Sequence, residues 1–356
     1  MSPRGLRVAA SRAAIARGLR AAARPLAVAA AALLAVGLAL AILGYPPGAA
    51  LVALLRGSLG SAAAWTQTLL KAAPLLLTGL AVALCFRCGV WNIGAEGQLL
   101  AGALVATAVA TRLWPEAPAG WLLPATLGAA AAAGALFGAA AGALRAWRGV
   151  SEVLSTILLN FVAIQLVALA VLGPLQEAAG AYPKSDPFPE AALLPAVGRL
   201  HAGVPAALLA AVAVQALLFR TAWGFRLRAV GFAPRAARFA GIAPERQALG
   251  ALALGGALAG LAGAGEVAGV TGQLYQGLSP GIGYTAIPVA LLARLQPLGV
   301  IPAALFFGAL EAGAGSMQRA AGVPAVATQV VQGLVILFSL GLAAARRPRA
   351  PAPEPS

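Results

Sequence analysis

Charge is the first thing this sequence is short of. Only 10% of its 356 residues are Asp, Glu, Lys or Arg, against about a quarter in soluble domains. A chain of this length has room for two soluble domains, but too few charges to give them water-facing surfaces. Histidine occurs once and cysteine twice. His201 is far from Cys85 and Cys88, so the roughly four ligands of a structural zinc are not there. The Cys85-Phe86-Arg87-Cys88 spacing ends an apolar run, with no βαβ context for a thioredoxin-like pair. Both cysteines therefore read as helix-packing residues, and the redox compartment is unreadable. Lysine occurs only at 71 and 184, neither after a glycine. A Gly-Lys-Ser/Thr phosphate loop is thus excluded, and with it ATP binding of that kind. No Ser-His pair or metal cluster suggests an intramembrane enzyme, and no cofactor is implied.

Apolar residues are what the chain has instead. They make up 61% of it, and the mean hydropathy is +0.88. Runs near 25–44, 65–86, 94–111, 121–144, 153–172, 203–219, 247–266, 284–293, 299–315 and 325–343 predict an all-α, polytopic membrane bundle of about ten transmembrane helices. The eighth run is short, as a broken or tilted helix would be, and 49–60 reads as a short interfacial helix. The first run is as long as a bilayer span, so it reads as an uncleaved helix rather than a signal peptide. The expected organisation is a basic cytoplasmic segment over 1–24, a transmembrane domain over 25–343 and a cytoplasmic tail over 344–356.

The net charge of +15 could point to nucleic acid. The basic residues lie between apolar runs, however, which excludes a nucleic-acid face and makes membrane lipid the partner. Ten alternating spans with the N-terminus inside put 19 of the 25 Lys and Arg residues in cytoplasmic segments. Both ends are therefore expected in the cytoplasm. Gly134, Gly138 and Gly142, then Gly256 and Gly260, then Gly265 and Gly269 recur at four-residue spacing, which lets helix backbones approach closely.

Ionisable groups inside spans cost a few kcal/mol each and face the bundle interior or a cavity. Lys71, Glu96, Glu152, Glu266 and Glu311 are of this kind, with Asn92, Gln98, Asn160 and Gln165 as uncharged companions. Lys71 and Glu152 are also placed to snorkel to an interface, and Glu96 suits the first turn of a helix. The densest cluster, Gly89 to Gln98, leaves two readings open: irregular backbone lining a passage, or a plain turn capped by Asn92. In the long loop 220–247, Gly231 to Ile242 reads as a short basic helix, with Pro234 in its first turn and Gly241 ending it.

Three blocks resemble the permease subunits of bacterial ABC importers, in the group serving simple sugars, branched-chain amino acids and nucleosides. Trp91-Asn92-Ile93-Gly94-Ala95-Glu96-Gly97-Gln98 is similar to a signature of the nucleoside-type branch. Gly149 to Asn160 and Gly281 to Gly299 are similar to further blocks, collinear over about 60–340. The resemblance implies a type II-like permease fold in the inner membrane and alternating access. Its partners would be separate ATP-binding subunits, a second related permease and a periplasmic or lipid-anchored solute-binding protein. Trp91, Asn92, Glu96, Gln98, Asn160, Gln165, Glu266 and Tyr284 would line the solute path, with Trp91 or Tyr284 stacking a nucleobase. Gly231, Pro234, Arg235, Ala236, Ala237 and Gly241 would form the helix that couples to the ATPase, although Arg235 stands where the family often has an acidic residue. Segment 173–203, with Glu177, Asp186 and Glu190, would receive the binding protein. The expected solute is a nucleoside or a related sugar-like compound. Simple sugars and branched-chain amino acids are the alternatives, and an ion-coupled transporter using Glu96 or Glu266 as a proton relay is the rival class.

Overall fold

The computed structural model describes residues 44–324 without a break and a few isolated helical positions on either side. The expected spans at 25–44 and 325–343 therefore fall largely outside the described residues. The chain forms two compact units. Among the described residues, one unit brings 44–57 together with 313–324, where Gly57 lies against Ser316 and Gly313 against Leu54. The other, Ser58–Ala312, carries the rest.

The helices are α1 (Pro47–Leu59), α2 (Ala62–Arg87), α3 (Ala95–Ala108), α4 (Ala119–Arg148), α5 (Glu152–Val171) and α6 (Gly203–Arg220). They continue with α7 (Ala222–Phe232), α8 (Pro234–Phe239), α9 (Pro244–Glu266), α10 (Ile282–Leu292) and α11 (Pro297–Ala321). Among the described residues, six helices are long and apolar enough to cross a membrane: α2, α4, α5, α6, α9 with its continuation, and α11. These correspond to six of the expected runs. A 26-residue helix such as α2 extends about 39 Å, more than the roughly 30 Å hydrocarbon core. The run at 94–111 is α3 extended by a π-helical turn, Val109–Leu113. α9 ends in a second such turn, Val267–Thr271. The short eighth run is α10. Its 11 residues reach only about 16 Å, half a bilayer.

Burial separates central from peripheral helices. In α2, 78% of the apolar window lies inside the protein, against 28% in α4 and α6. The outward faces of α5 and α6 show Leu158, Phe161, Leu169, Leu209 and Val212, which a membrane interior accepts at no cost. α4 and α9 cross at the glycine series: a Cβ on Gly134 or Gly260 would strike backbone of the other helix. α3 joins this crossing where Gly102 meets Gly260 and Gly263 meets Leu99. The close approach predicted for small residues is thus present in Gly134, Gly138, Gly142, Gly256 and Gly260. Gly265 and Gly269 do something else: Gly265 has open space beside it and Gly269 faces the His201 ring.

Cys85 and Cys88 are free and buried, and Cys85 Sγ donates to Ala251 O at 3.2 Å. They pack helices, as their context suggests. At the opposite end of the bundle from Cys88, residues 173–203 fold over the helices. A two-residue antiparallel ladder pairs β1 (Ala196–Val197) with β2 (Leu200–His201). The segment is held by Arg112 to Asp186 at 2.8 Å and Lys184 to Glu177 at 3.2 Å. Ser185 N also donates to Leu274 O at 2.7 Å.

Candidate functional site

α2 ends at Arg87, and the chain turns through Gly89, which has a φ of 74°. It then runs without regular structure from Val90 to Ile93 before α3 begins. Cys85 and Asn92 both lie against Gly255. That glycine is eleven residues along α9, or about 16 Å from its first residue, so the irregular backbone sits deep in the bundle. Such backbone survives at this depth only if its polar groups find partners in protein.

They find them in a knot of side chains from four segments. Asn92 and Gln98 exchange amide hydrogen bonds, Nδ2 to Oε1 at 3.0 Å and Nε2 to Oδ1 at 3.1 Å. Asn92 Oδ1 also accepts from Gly94 N at 3.0 Å, a side-chain turn that leads the chain into α3. From α5, Asn160 Oδ1 accepts from Gly97 N at 2.8 Å, while its Nδ2 donates to Ile93 O at 2.9 Å. The same Nδ2 reaches Tyr284 Oη at 3.2 Å. Glu96 does suit the first turn of α3, but its carboxylate serves a different helix: it accepts from Gly283 N at 2.7 Å, at the start of α10. An anion there meets unpaired N–H groups and the positive end of the helix. Gly283 is the only residue type that fits, because a Cβ would fall on the backbone of Glu96.

Five of the eight expected pathway residues therefore meet: Asn92, Glu96, Gln98, Asn160 and Tyr284. The first four are buried and bonded to one another or to backbone. Tyr284 is 40% exposed and Trp91 51%, the latter tilted at 54° against Phe86 with ring centroids 4.6 Å apart. They are the open aromatic edge of the knot. Gln165 is exposed on α5, about 140° round the helix from Asn160, and Glu266 belongs to a separate cluster. There Lys71 and Glu311 pair at 3.1 Å, and Glu266 shares their field. Sequence reasoning missed Thr156, whose Oγ1 accepts from Ile93 N at 3.4 Å. It also missed the Arg145–Glu152 ion pair, whose carboxylate accepts from Trp91 N. The i, i+4 run Glu152, Thr156, Asn160 is the signal that could have found them, since it places all three on one face of α5.

The loop after α6 is two helices where one was expected. α7 runs to Phe232, Ala233 leaves helical geometry at φ −150° and ψ 83°, and α8 occupies Pro234–Phe239. Pro234 lacks an N–H and excludes helical geometry from the residue before it, which breaks the segment at Ala233. Pro234 is in the first turn as anticipated, and Gly241 closes the helix at φ 78°. Gly231 lies in α7 rather than in the short helix, and it packs on the Arg87 carbonyl. Ala237 is buried, while Arg235 and Ala236 are exposed. Phe232 and Phe239 are bare at 91% and 95%. Arg238 pairs with Glu245 of α9, and a cavity of about 350 Å³ beside α8 is lined by Arg226, Arg246 and Gln247.

A family model described as the permease component of a branched-chain amino acid transport system matches residues 64–340. The chain belongs to that permease family. It is 40% identical to the glucose ABC transporter permease protein TsgB13 of Haloferax volcanii, over 85% of this chain and 82% of that one. It is 37% identical to the guanosine ABC transporter permease protein NupP of Bacillus subtilis, over 83% and 86%. It is 31% identical to the nucleoside ABC transporter permease protein NupB of Lactococcus lactis, over 83% and 84%. No solved structure matches it. As an ABC permease with six helices among its described residues long and apolar enough to span, it is a multi-pass protein of the cytoplasmic membrane.

Proposed function

We propose that this permease is one half of the passage of an ATP-driven uptake system for nucleosides. The observation that carries the solute is the likeness to a guanosine and a nucleoside permease over more than four fifths of the chain. The open aromatic edge of the knot supports it: Trp91 and Tyr284 present rings on which a base can stack. The buried members, Asn92, Glu96, Gln98 and Asn160, act by holding α3, α5 and α10 in place. Alternating access then shifts helices around the knot. A half-length α10, anchored at Glu96, is the piece best suited to tilt.

In this reading the chain has about ten spans and both ends in the cytoplasm. The Arg-rich end of the bundle carrying α7 and α8 then faces the cytoplasm. There α8 docks on a separate ATP-binding subunit, with Phe232 and Phe239 entering an apolar groove and the neighbouring arginines meeting acidic residues. A second permease completes the passage, and residues 173–203 receive a solute-binding protein on the other face. That segment's carboxylates Glu177 and Asp186 already pair with Lys184 and Arg112, which keeps the landing surface rigid.

The 40% identity to a glucose permease favours a second reading, uptake of a simple sugar. Deleting the gene in its own host and following labelled guanosine, adenosine and glucose separates the two. Loss of nucleoside uptake with glucose uptake intact is the expected result, and the reverse would replace nucleoside by sugar.

A further inference from the structure

Arg87 stands in the last turn of α2, where a cation suits the helix dipole, but its side chain works elsewhere. Its Nε donates to Leu295 O at 3.0 Å, in the turn between α10 and α11. The guanidinium also lies over the Phe219 ring of α6, 5.5 Å from the centroid. Arg228 of α7 lies over the same ring at 4.8 Å, and its Nε donates to Leu218 O at 2.9 Å. Two cations thus share one aromatic ring, whose negative face attracts both. The main chain adds a further contact. Gly231, near the end of α7, is so close to the Arg87 carbonyl that a Cβ there would overlap it. Beside that contact, a cavity of about 200 Å³ lined by Cys88, Gly89, Gly231 and Pro234 among others leaves α7 and α8 room to shift.

The turn that Arg87 holds is strained. Among the described residues, Arg294 and Leu295 are the two non-glycine positions with positive φ, at 55° and 59°, where a side chain crowds its own backbone. Leu295 N donates to Ala290 O and Arg294 N to Leu291 O, both at 2.9 Å, which closes α10. Such geometry persists only where the surroundings hold it, and the bond from Arg87 is one such hold. At its other end α10 is held by Glu96, through Gly283 N. Residues 87 and 96 therefore grip the two ends of the half-length helix, and they flank the irregular stretch that carries Trp91. We propose that Arg87 is a positioning residue that ties the turn after α10 to α7, so that a shift of α7 tilts α10 about its Glu96 anchor. Tyr284 rides on α10 and Trp91 on the stretch between the two grips, so the tilt alters the aromatic edge. This inference rests on the reading of α7 and α8 as the segment docked on an ATP-binding subunit.

Hydrogen exchange of the assembled transporter in lipid nanodiscs, with and without a non-hydrolysable ATP analogue, tests the tie. In the wild type the analogue should change exchange at residues 231–242 and also at residues 290–296. Arg87→Met keeps a side chain of similar reach without a donor. In that variant the change at 231–242 should remain and the change at 290–296 should be lost. Arg87→Gln places an amide N–H where Nε stands and should restore the response at 290–296. A side chain that merely stabilised the bundle would not separate the two segments in this way. An equal response at 290–296 in wild type and Arg87→Met, or no recovery in Arg87→Gln, would overturn the proposal alone. So would a wild type that responds at 231–242 and not at 290–296. No response at 231–242 in the wild type would remove the docking reading, and the tie with it. Should Arg87→Met fail to assemble, density maps of the wild type with and without the analogue decide. A Leu295 carbonyl that keeps its bond to Arg87 while α10 tilts supports the tie, and α7 shifting past a fixed α10 refutes it.

Discussion

The knot around Asn92 and the helix around Ala237 treat their polar and apolar groups in opposite ways. In the knot, Asn92, Glu96, Gln98 and Asn160 all bond within the chain and all are buried. In α8 and its flanks, Phe232, Phe239 and Arg235 face outward, and only Ala237 is covered. Both segments carry the family resemblance, yet for different physical reasons. One stretch must satisfy backbone that is irregular at membrane depth. The other leaves its surface for a partner. A motif match therefore does not say whether its residues work inward or outward, and burial with hydrogen bonding does.

Substitutions in the two regions should separate stability from coupling, and the largest effect belongs to the knot. Gly283→Val puts a side chain onto the Glu96 backbone and should cost more than about 3 kcal/mol, read as loss of folded, monodisperse protein in detergent. Asn160→Ala orphans Gly97 N and Ile93 O together and should cost about 2–4 kcal/mol, read as a fall of several degrees in thermal midpoint. Glu96→Ala leaves Gly283 N unpaired, about 1–3 kcal/mol, and Glu96→Gln should recover most of that by keeping an acceptor. Tyr284→Phe removes one acceptor from Asn160 and should cost about 0.5–1.5 kcal/mol; weaker nucleoside uptake in this variant would add support to a solute-facing ring. Phe232→Ser with Phe239→Ser should sit within about 0.5 kcal/mol of the parent. A large loss of stability there would erase the contrast between the regions.

Much of this was legible in the sequence. Length and hydropathy give the six long spans, because the bilayer fixes a minimum helix length. The Gly134, Gly138 and Gly142 series gives a close crossing, and Pro234 and Gly241 give the bounds of the short helix. Two things were not legible. Asn92, Glu96 and Gln98 look like passage-lining groups from their residue types, since sequence cannot show that Asn160 and Gly283 lie within hydrogen-bond reach. Nor could it show that Gly269 makes room for His201 rather than for another helix, because four-residue spacing is the same in both uses. Glu96 was placed correctly in a first turn, but the helix end it satisfies begins 187 residues away.

The central claim is that energy enters this chain from a separate ATP-binding subunit through residues 231–242. It is tested most directly by solute-stimulated ATP hydrolysis in the assembled transporter carrying Phe232→Ser and Phe239→Ser. The account predicts a permease that inserts and folds normally, with stimulation by nucleoside lost. Full stimulation in that variant, or pH-gradient-driven uptake by the purified chain alone, would contradict it.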